Sequence, residues 1–239
     1  MSSTADLTLV TGATGAIGQA VVERLTDGGH PVLALDRDPT ALDGLQNRFG
    51  AQVHTHACDL ADLAATPDLL ADLLERHSPL RRLVLNAGVW PTAPIVKMTD
   101  EIWEENFAVN VTSPFMFLRG LVPAMIEAGG GAIVCTCSRN AHRSSTNNAA
   151  YDASKAALLA LVTLGLYAQV SLFEFINFDD RDYIYNNENV LSGLTLRNIT
   201  WAFTLHGPGQ WHPLTWLSHQ LDCQLFGTDA GWHHTVNAL

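Results

Sequence analysis

Residues 7–25 constrain the fold more than any other stretch. Residues 7–10 are a short apolar run, Thr11-Gly12-Ala13-Thr14-Gly15-Ala16-Ile17-Gly18 follows, and residues 20–25 read as helix. A buried strand, a glycine-rich turn and a helix in that order open a βαβ unit. Glycines let a backbone approach a pyrophosphate closely, and a helix N-terminus presents free N–H groups and a positive dipole end to it.

The rest of the first two thirds repeats the alternation. Residues 31–35 read as a second strand ending at Asp36, 18 residues after Gly18. Residues 39–49 read as helix, and 52–57 as a strand ending at Cys58-Asp59-Leu60. Residues 67–77 carry Leu69, Leu70, Leu73 and Leu74 at helical spacing. Residues 82–85 make a fourth strand closed by Asn86-Ala87-Gly88. Residues 100–110 and 114–128 read as two helices or one long bent one, and 131–136 as a fifth strand leading to Ser138. Strands alternating with helices imply an α/β fold with a parallel sheet and right-handed crossovers. Ligands bind at the carboxyl ends of such strands, where Gly12, Asp36, Asp59, Asn86 and Ser138 all fall.

Tyr151-Asp152-Ala153-Ser154-Lys155 follows at the head of the next helix. Residues four apart share a helix face, so the Lys155 ammonium is placed to lower the pKa of the Tyr151 phenol. A phenol so tuned exchanges protons near neutral pH. Ser138 precedes Tyr151 by 13 residues.

With these pieces in order, residues 5 to about 160 resemble the short-chain dehydrogenase/reductase family. The matching residues are the turn from Thr11 to Gly18, Asp59-Leu60, Asn86-Ala87-Gly88, Asn110, Ser138, and Tyr151 with Lys155. The turn departs from the usual TGxxxGxG, because Ala16 stands at the middle glycine and Gly15 lies one residue earlier. The resemblance implies a Rossmann-like doubly wound sheet in the order 3-2-1-4-5. It implies hydride transfer between a nicotinamide cofactor and a small carbonyl or alcohol substrate. Tyr151 would be the general acid/base, Lys155 would tune it and hold the nicotinamide ribose, Ser138 would steady the substrate oxygen, and Asn110 would anchor a water in a proton relay. Gly12, Thr14, Gly15, Ile17, Gly18, Asp36, Arg37, Asp59, Leu60, Asn86, Ala87, Gly88, Tyr151 and Lys155 would make the cofactor site. A carboxylate at Asp36 favours NAD over NADP by holding both ribose hydroxyls and repelling a 2′-phosphate, although Arg37 beside it softens the preference. Homo-oligomerisation through the helix of Tyr151 and Lys155 is open.

The family pattern ends near residue 167. No apolar sixth strand with a Pro-Gly end follows the Tyr-Lys helix: Phe178-Asp179-Asp180-Arg181-Asp182-Tyr183 stands in its place, and Pro208-Gly209 comes 57 residues after Tyr151. Residues 168–239 hold two basic residues, Arg181 and Arg197, against seven acidic ones, and four of the six tryptophans. Residues 1–167 are therefore read as an incomplete oxidoreductase domain of five strands, and 168–239 as an unrelated, irregular or helical appendage. Phe175-Ile176-Asn177-Phe178-Asp179-Asp180, His212-Pro213-Leu214-Thr215-Trp216-Leu217-Ser218-His219 and Gly231-Trp232-His233-His234 resemble the first extramembrane loop of multi-spanning, tetratricopeptide-containing membrane glycosyltransferases. That resemblance matches Asp179 and Asp180 to the acidic pair of the catalytic centre. Residues 156–173 are uncharged over 18 positions, at the lower limit of a membrane span, but Tyr151 and Lys155 just upstream favour a soluble core helix. Two further readings follow: a dinucleotide-binding module without turnover, and a fused, inactive glycosyltransferase fragment. An unpaired fifth strand is expected to leave the pyrophosphate half of the site formed and the nicotinamide half compromised.

The net charge of −11 argues against a nucleic-acid or anionic-membrane partner. The first ten residues lack the pattern of a signal peptide, so a cytoplasmic setting is expected. The four cysteines show no zinc spacing. Cys135 and Cys137 alternate in the fifth run and are expected as core residues. No metal is expected; His212 and His219, seven apart with Asp222 near, are read as aromatic-edge packing on one helix face.

Overall fold

The computed structural model describes residues 7–77, 80–167, 181–204 and 212–238. It contains two compact units, Met1–Leu161 and Val162–Leu239.

The first unit is a five-stranded parallel sheet: β1 (Thr8–Thr11), β2 (Val32–Asp36), β3 (Val53–Ala57), β4 (Arg82–Leu85) and β5 (Ala132–Cys135), in the order β3-β2-β1-β4-β5. β1 pairs with β2 in the register Thr8↔Val32 and with β4 in the register Thr8↔Arg82. Successive side chains point to opposite faces, and both faces of the central β1 and β2 are covered, so these two strands are buried on both sides, whereas the edge strands β3 and β5 are partly exposed. Leu9, Leu33, Leu35, Leu83 and Leu85 meet Leu70 and Leu73 of α3 (Thr66–His77) and Phe117, Leu121 and Met125 of α5 (Ser113–Glu127). Val10, Val32 and Ala34 turn the other way, onto Val22 of α1 (Ala16–Asp27) and Leu42 and Leu45 of α2 (Pro39–Phe49). Each fully buried leucine contributes about 2 kcal/mol.

Local signals set the helix ends. The Asp38 carboxylate accepts the Ala41 N–H and Pro39 occupies the first turn of α2, where a missing N–H costs nothing. Thr99 caps α4 (Asp100–Phe107), with Asp100 and Glu101 in its first turn. A π-helical turn, Ala108–Thr112, joins α4 to α5, so residues 100–127 form the single bent helix that was one of the two expectations. Among the described residues only Asp100–Glu127 is long and apolar enough to cross a membrane, and its Phe117, Leu121 and Met125 lie in the core against the sheet. α1 starts at Ala16, four residues before the expected helix, because a glycine-rich stretch hides a helix start from periodicity.

β3 and β5 are the two edges of the sheet. Ile133 and Val134 are 41% and 56% exposed, whereas the inner strands are buried. α6 (Ala149–Tyr167) begins just before Tyr151.

In the second unit the described residues form α7 (Glu188–Leu191), α8 (Leu196–Ala202), α9 (Pro213–Phe226) and α10 (Ala230–Ala238), and no strand. Its core is Ile184, Val190, Ala202, Trp216 and Cys223. Tyr183 stacks on Trp216 with ring centroids 4.8 Å apart, and Trp201 meets Trp216 edge-on at 5.2 Å. His212 packs among these rings, as expected of it. His219 meets the Tyr183 ring edge-on at 6.4 Å, also as expected, and lies against His233 as well. Asp179, Asp180, Pro208 and Gly209 lie outside the described residues, as do residues 168–173 of the uncharged run.

Candidate active site

The turn after β1 depends on contacts that only glycine allows. Gly12 has a φ of +65°, and a Cβ on it would lie 2.7 Å from Ala87 Cα. A Cβ on Gly18 would lie 2.0 Å from the Gly12 carbonyl oxygen. Gly15 is extended, with φ −69°, and open toward the cleft, where it precedes α1 as its N-cap. No side chain caps α1 and no acidic residue sits in its first turn, so its leading N–H groups suit an anion.

The strand ends are tied to one another around this turn. Asp36 accepts the Thr14 N–H at 3.0 Å on one carboxylate oxygen and the Arg37 N–H at 2.8 Å on the other. The Thr11 hydroxyl oxygen accepts the N–H groups of Asn86 and Ala87, each at 3.1 Å. Asn86 donates its side-chain amide to the Gly12 carbonyl at 3.2 Å and accepts the Thr136 hydroxyl at 3.1 Å. Asp59 accepts the Ala61 N–H and so turns the chain after β3.

Asn110 is fully buried in the π-helical turn. Its oxygen accepts the Val89 N–H at 2.9 Å, and its amide donates to the Val89 carbonyl at 2.9 Å and to the Ser154 hydroxyl at 3.0 Å. Ser154 in turn donates to the Tyr151 carbonyl. Lys155, 3% exposed, donates its ammonium to the Thr136 carbonyl at 3.0 Å and stands 6.0 Å from the Tyr151 ring centroid. Burial pushes the Lys155 pKa below its ordinary value, against the opposite pull of the nearby Cys137 and Cys135 thiols. The Ser138 oxygen accepts the Asn140 N–H at 3.1 Å, keeping its own proton to give. Asp152 accepts the Asn140 amide at 2.6 Å and the Ser145 N–H at 2.7 Å, which moors residues 139–148 beside Tyr151.

These parts converge on one cleft of about 660 Å³. Of the expected cofactor residues, Gly12, Thr14, Gly15, Ile17, Asp36, Arg37, Asp59, Leu60, Asn86, Ala87, Gly88, Tyr151 and Lys155 line it, with Ser138. Gly18 and Asn110 do not: both lie behind the wall and hold it in shape. The expectation for the cysteines is corrected. β5 ends at Cys135, so Cys137 lies past the ladder, is exposed and lines the cleft, while Cys135 is only half-buried. Cys58 also lines the cleft; burial first, then Asp36 and Asp59, push its thiol up to about 12. Thr11 was read only as the start of the turn, not as the acceptor that ties β4 to it, and Thr136 and Ser154 were given no role. The first two stand at strand carboxyl ends, which the alternation already marked as the ligand side; nothing in the sequence singles out Ser154.

The family model described as short chain dehydrogenase matches residues 6–166. The chain belongs to this family. An uncharacterized NAD-dependent oxidoreductase of Mycobacterium tuberculosis is 36% identical over 169 residues, covering 64% of this chain and 62% of that protein. A D-threitol dehydrogenase of Mycolicibacterium smegmatis is 31% identical over 150 residues, covering 62% of this chain and 58% of its own length. The chain thus spans about three fifths of the curated relatives it matches. Among solved structures, a short-chain dehydrogenase from Streptomyces avermitilis superposes with a TM-score of 0.66 at 31% identity, covering 72% of this chain and 63% of that one. A metagenomic short-chain oxidoreductase in complex with NADP gives 0.64 at 32% identity, covering 70% and 77%. The five-stranded order 3-2-1-4-5 is this family's Rossmann-like fold.

Proposed function

We propose that this chain is an NAD-dependent oxidoreductase acting on a small alcohol or carbonyl compound. The observation that carries the reading is the single cleft in which the uncapped start of α1, the Asp36 carboxylate, and the Ser138, Tyr151 and Lys155 side chains meet. The residues fit a dinucleotide. A Cβ at Gly12 or Gly18 would destroy the turn that frames an anion site, and the first turn of α1 carries no competing carboxylate. Gly12, Thr14, Gly15 and Ile17 would hold the pyrophosphate side, Asp36 the adenosine ribose, and Asn86, Ala87, Gly88 and Lys155 the nicotinamide side. Asp36 favours NAD by repelling a 2′-phosphate. When bound, the cofactor gives or takes a hydride.

The protein's part is positioning and proton transfer. The Tyr151 hydroxyl passes a proton to or from the substrate oxygen. The Ser138 hydroxyl donates to that oxygen and aligns it. Lys155, its charge poorly solvated, is fixed by the Thr136 carbonyl beside Tyr151. Asn110 holds residue 89 and, through Ser154, the first turn of α6, so it supports the site rather than entering it. We take residues 1–167 as the oxidoreductase domain and 168–239 as a separate segment with no role in the chemistry; its likeness to a glycosyltransferase loop enters no step.

A second reading, cofactor binding without turnover, has its own observation: β5 leaves Ile133 and Val134 exposed at the sheet edge. One experiment separates the two. NADH and NADPH oxidation is followed over a panel of ketones and aldehydes with the wild type and Tyr151→Phe. Turnover with NADH that falls about a thousandfold in the variant supports the oxidoreductase. Saturable NADH binding with no turnover on any carbonyl supports the binding module, and no binding removes both.

A further inference from the structure

Away from the cleft, the described residues gather one set of metal-ligating side chains: His219 and Asp222 on α9 and His233 on α10. Residues three apart share a helix face, which aims His219 and Asp222 the same way. α10 folds against that face, with the Phe226 and Trp232 rings stacked at 5.0 Å and the His219 and His233 rings at 6.4 Å. One ligand atom from each of the three lies within 4.8 Å of the others.

The hydrogen bonding orients the set. His233 Nε2 is 2.9 Å from the Gly227 carbonyl oxygen. A carbonyl only accepts, so Nε2 carries a hydrogen, and Nδ1 is the ring atom turned toward Asp222. An outer hydrogen bond of this kind is what fixes the tautomer of a metal-binding histidine. Nδ1 lies 4.0 Å from Asp222 Oδ2, too far for a direct hydrogen bond. Asp222 Oδ2 is buried without a hydrogen-bond partner. The buried Asp222 Oδ2 and His233 Nδ1 thus stand 4.0 Å apart inside the unit, a spacing that an ion held by both would bridge. Metal–ligand bonds of about 2.0–2.2 Å put tetrahedral ligands about 3.4 Å apart, so atoms within 4.8 Å of one another need to close by at most about 1.4 Å.

We infer that His219, Asp222 and His233 form a three-ligand site for a divalent transition ion of the zinc class, with solvent in the fourth position, pinning α10 to α9. Two imidazoles and one carboxylate select zinc or cobalt over magnesium and calcium, which prefer all-oxygen shells.

The test uses the full chain stripped of metal by chelator dialysis. Calorimetric titration with Zn²⁺ should show one saturable equivalent, Co²⁺ should give the visible ligand-field bands of a four-coordinate ion, and Mg²⁺ should give no heat. Asp222→Asn and His219→Gln should each weaken zinc binding at least about tenfold. Far-UV circular dichroism checks that the variants fold; His219→Gln, at the more accessible position, decides alone if Asp222→Asn does not. The proposal fails if the wild type shows no saturable equivalent. It also fails if a folded variant binds zinc as the wild type does, because the ion then sits on other histidines.

Discussion

Two cysteines in one cleft are set apart by what surrounds them. Cys58 is half-buried beside Asp36 and Asp59, and its thiol is pushed up to about 12; Cys137 is exposed. Only a thiolate is nucleophilic. At pH 8 a disulfide reagent should modify Cys137 within minutes and leave Cys58 intact in the folded chain, as peptide mapping would show; modification of Cys58 first would contradict the environment described for it. Lys155 yields a second prediction with a definite sign. Its pKa is lowered in the folded state, so between the folded value and its ordinary 10.5 the unfolded chain binds more protons. Stability contributed by this group therefore rises with pH through that window and is lowest below it. Measured by thermal melts, the wild type should gain on Lys155→Met as pH rises from 7 toward 10.5, while the variant is inactive throughout. A difference independent of pH would mean that the ammonium is as well solvated as in the unfolded chain.

The turn between β1 and α1 shows how far elements can be read from sequence. All five strands stand within a residue or two of where the alternation of strand and helix put them; for β1 and β2, covered on both faces, the apolar run is continuous. The start of α1 was displaced, because glycines carry no periodicity. The π-helical turn was legible only as a bend, since its register slip leaves composition unchanged; what it does, aiming Asn110 at residue 89, needs the fold. Cys137 was misread because alternation in sequence runs on after the ladder has ended at Cys135. The nearness of His233 to Asp222 was invisible because it depends on how two helices pack. The glycines of the turn also differ in ways a motif does not show. Gly15→Ala places its Cβ 3.5 Å from the nearest atom at φ −69° and should leave stability within about 0.5 kcal/mol. Gly18→Ala drives a Cβ to 2.0 Å from the Gly12 carbonyl, and either the turn or α1 must move. Chemical denaturation should show a loss of about 3 kcal/mol, the upper end for overpacking, with NAD binding abolished. Equal tolerance at both positions would mean that the turn is looser than its contacts state.

At the scale of the whole molecule, each unit has its own core. Leu9, Leu33, Phe117 and their neighbours serve the sheet, and Ile184, Val190 and Trp216 serve the helical segment. A ligand that binds only the native form of one unit stabilises that unit by RT ln(1 + [L]/Kd), about 2.7 kcal/mol at a hundredfold excess over Kd. For a domain of roughly 150–250 residues this corresponds to about 5–10 °C in Tm. The proposed cofactor site draws all its groups from the first unit, and the proposed zinc site draws all of its groups from the second. Scanning calorimetry of the full chain should therefore resolve two transitions. Saturating NAD⁺ should raise one by about 5–10 °C and leave the other in place, and Zn²⁺ should raise only the other, by about 10–20 °C because that unit is smaller. The unit that NAD⁺ moves should stop responding in Gly18→Ala, and the unit that Zn²⁺ moves should stop responding in His219→Gln. A single transition raised by either ligand would show that the two cores melt as one cooperative body.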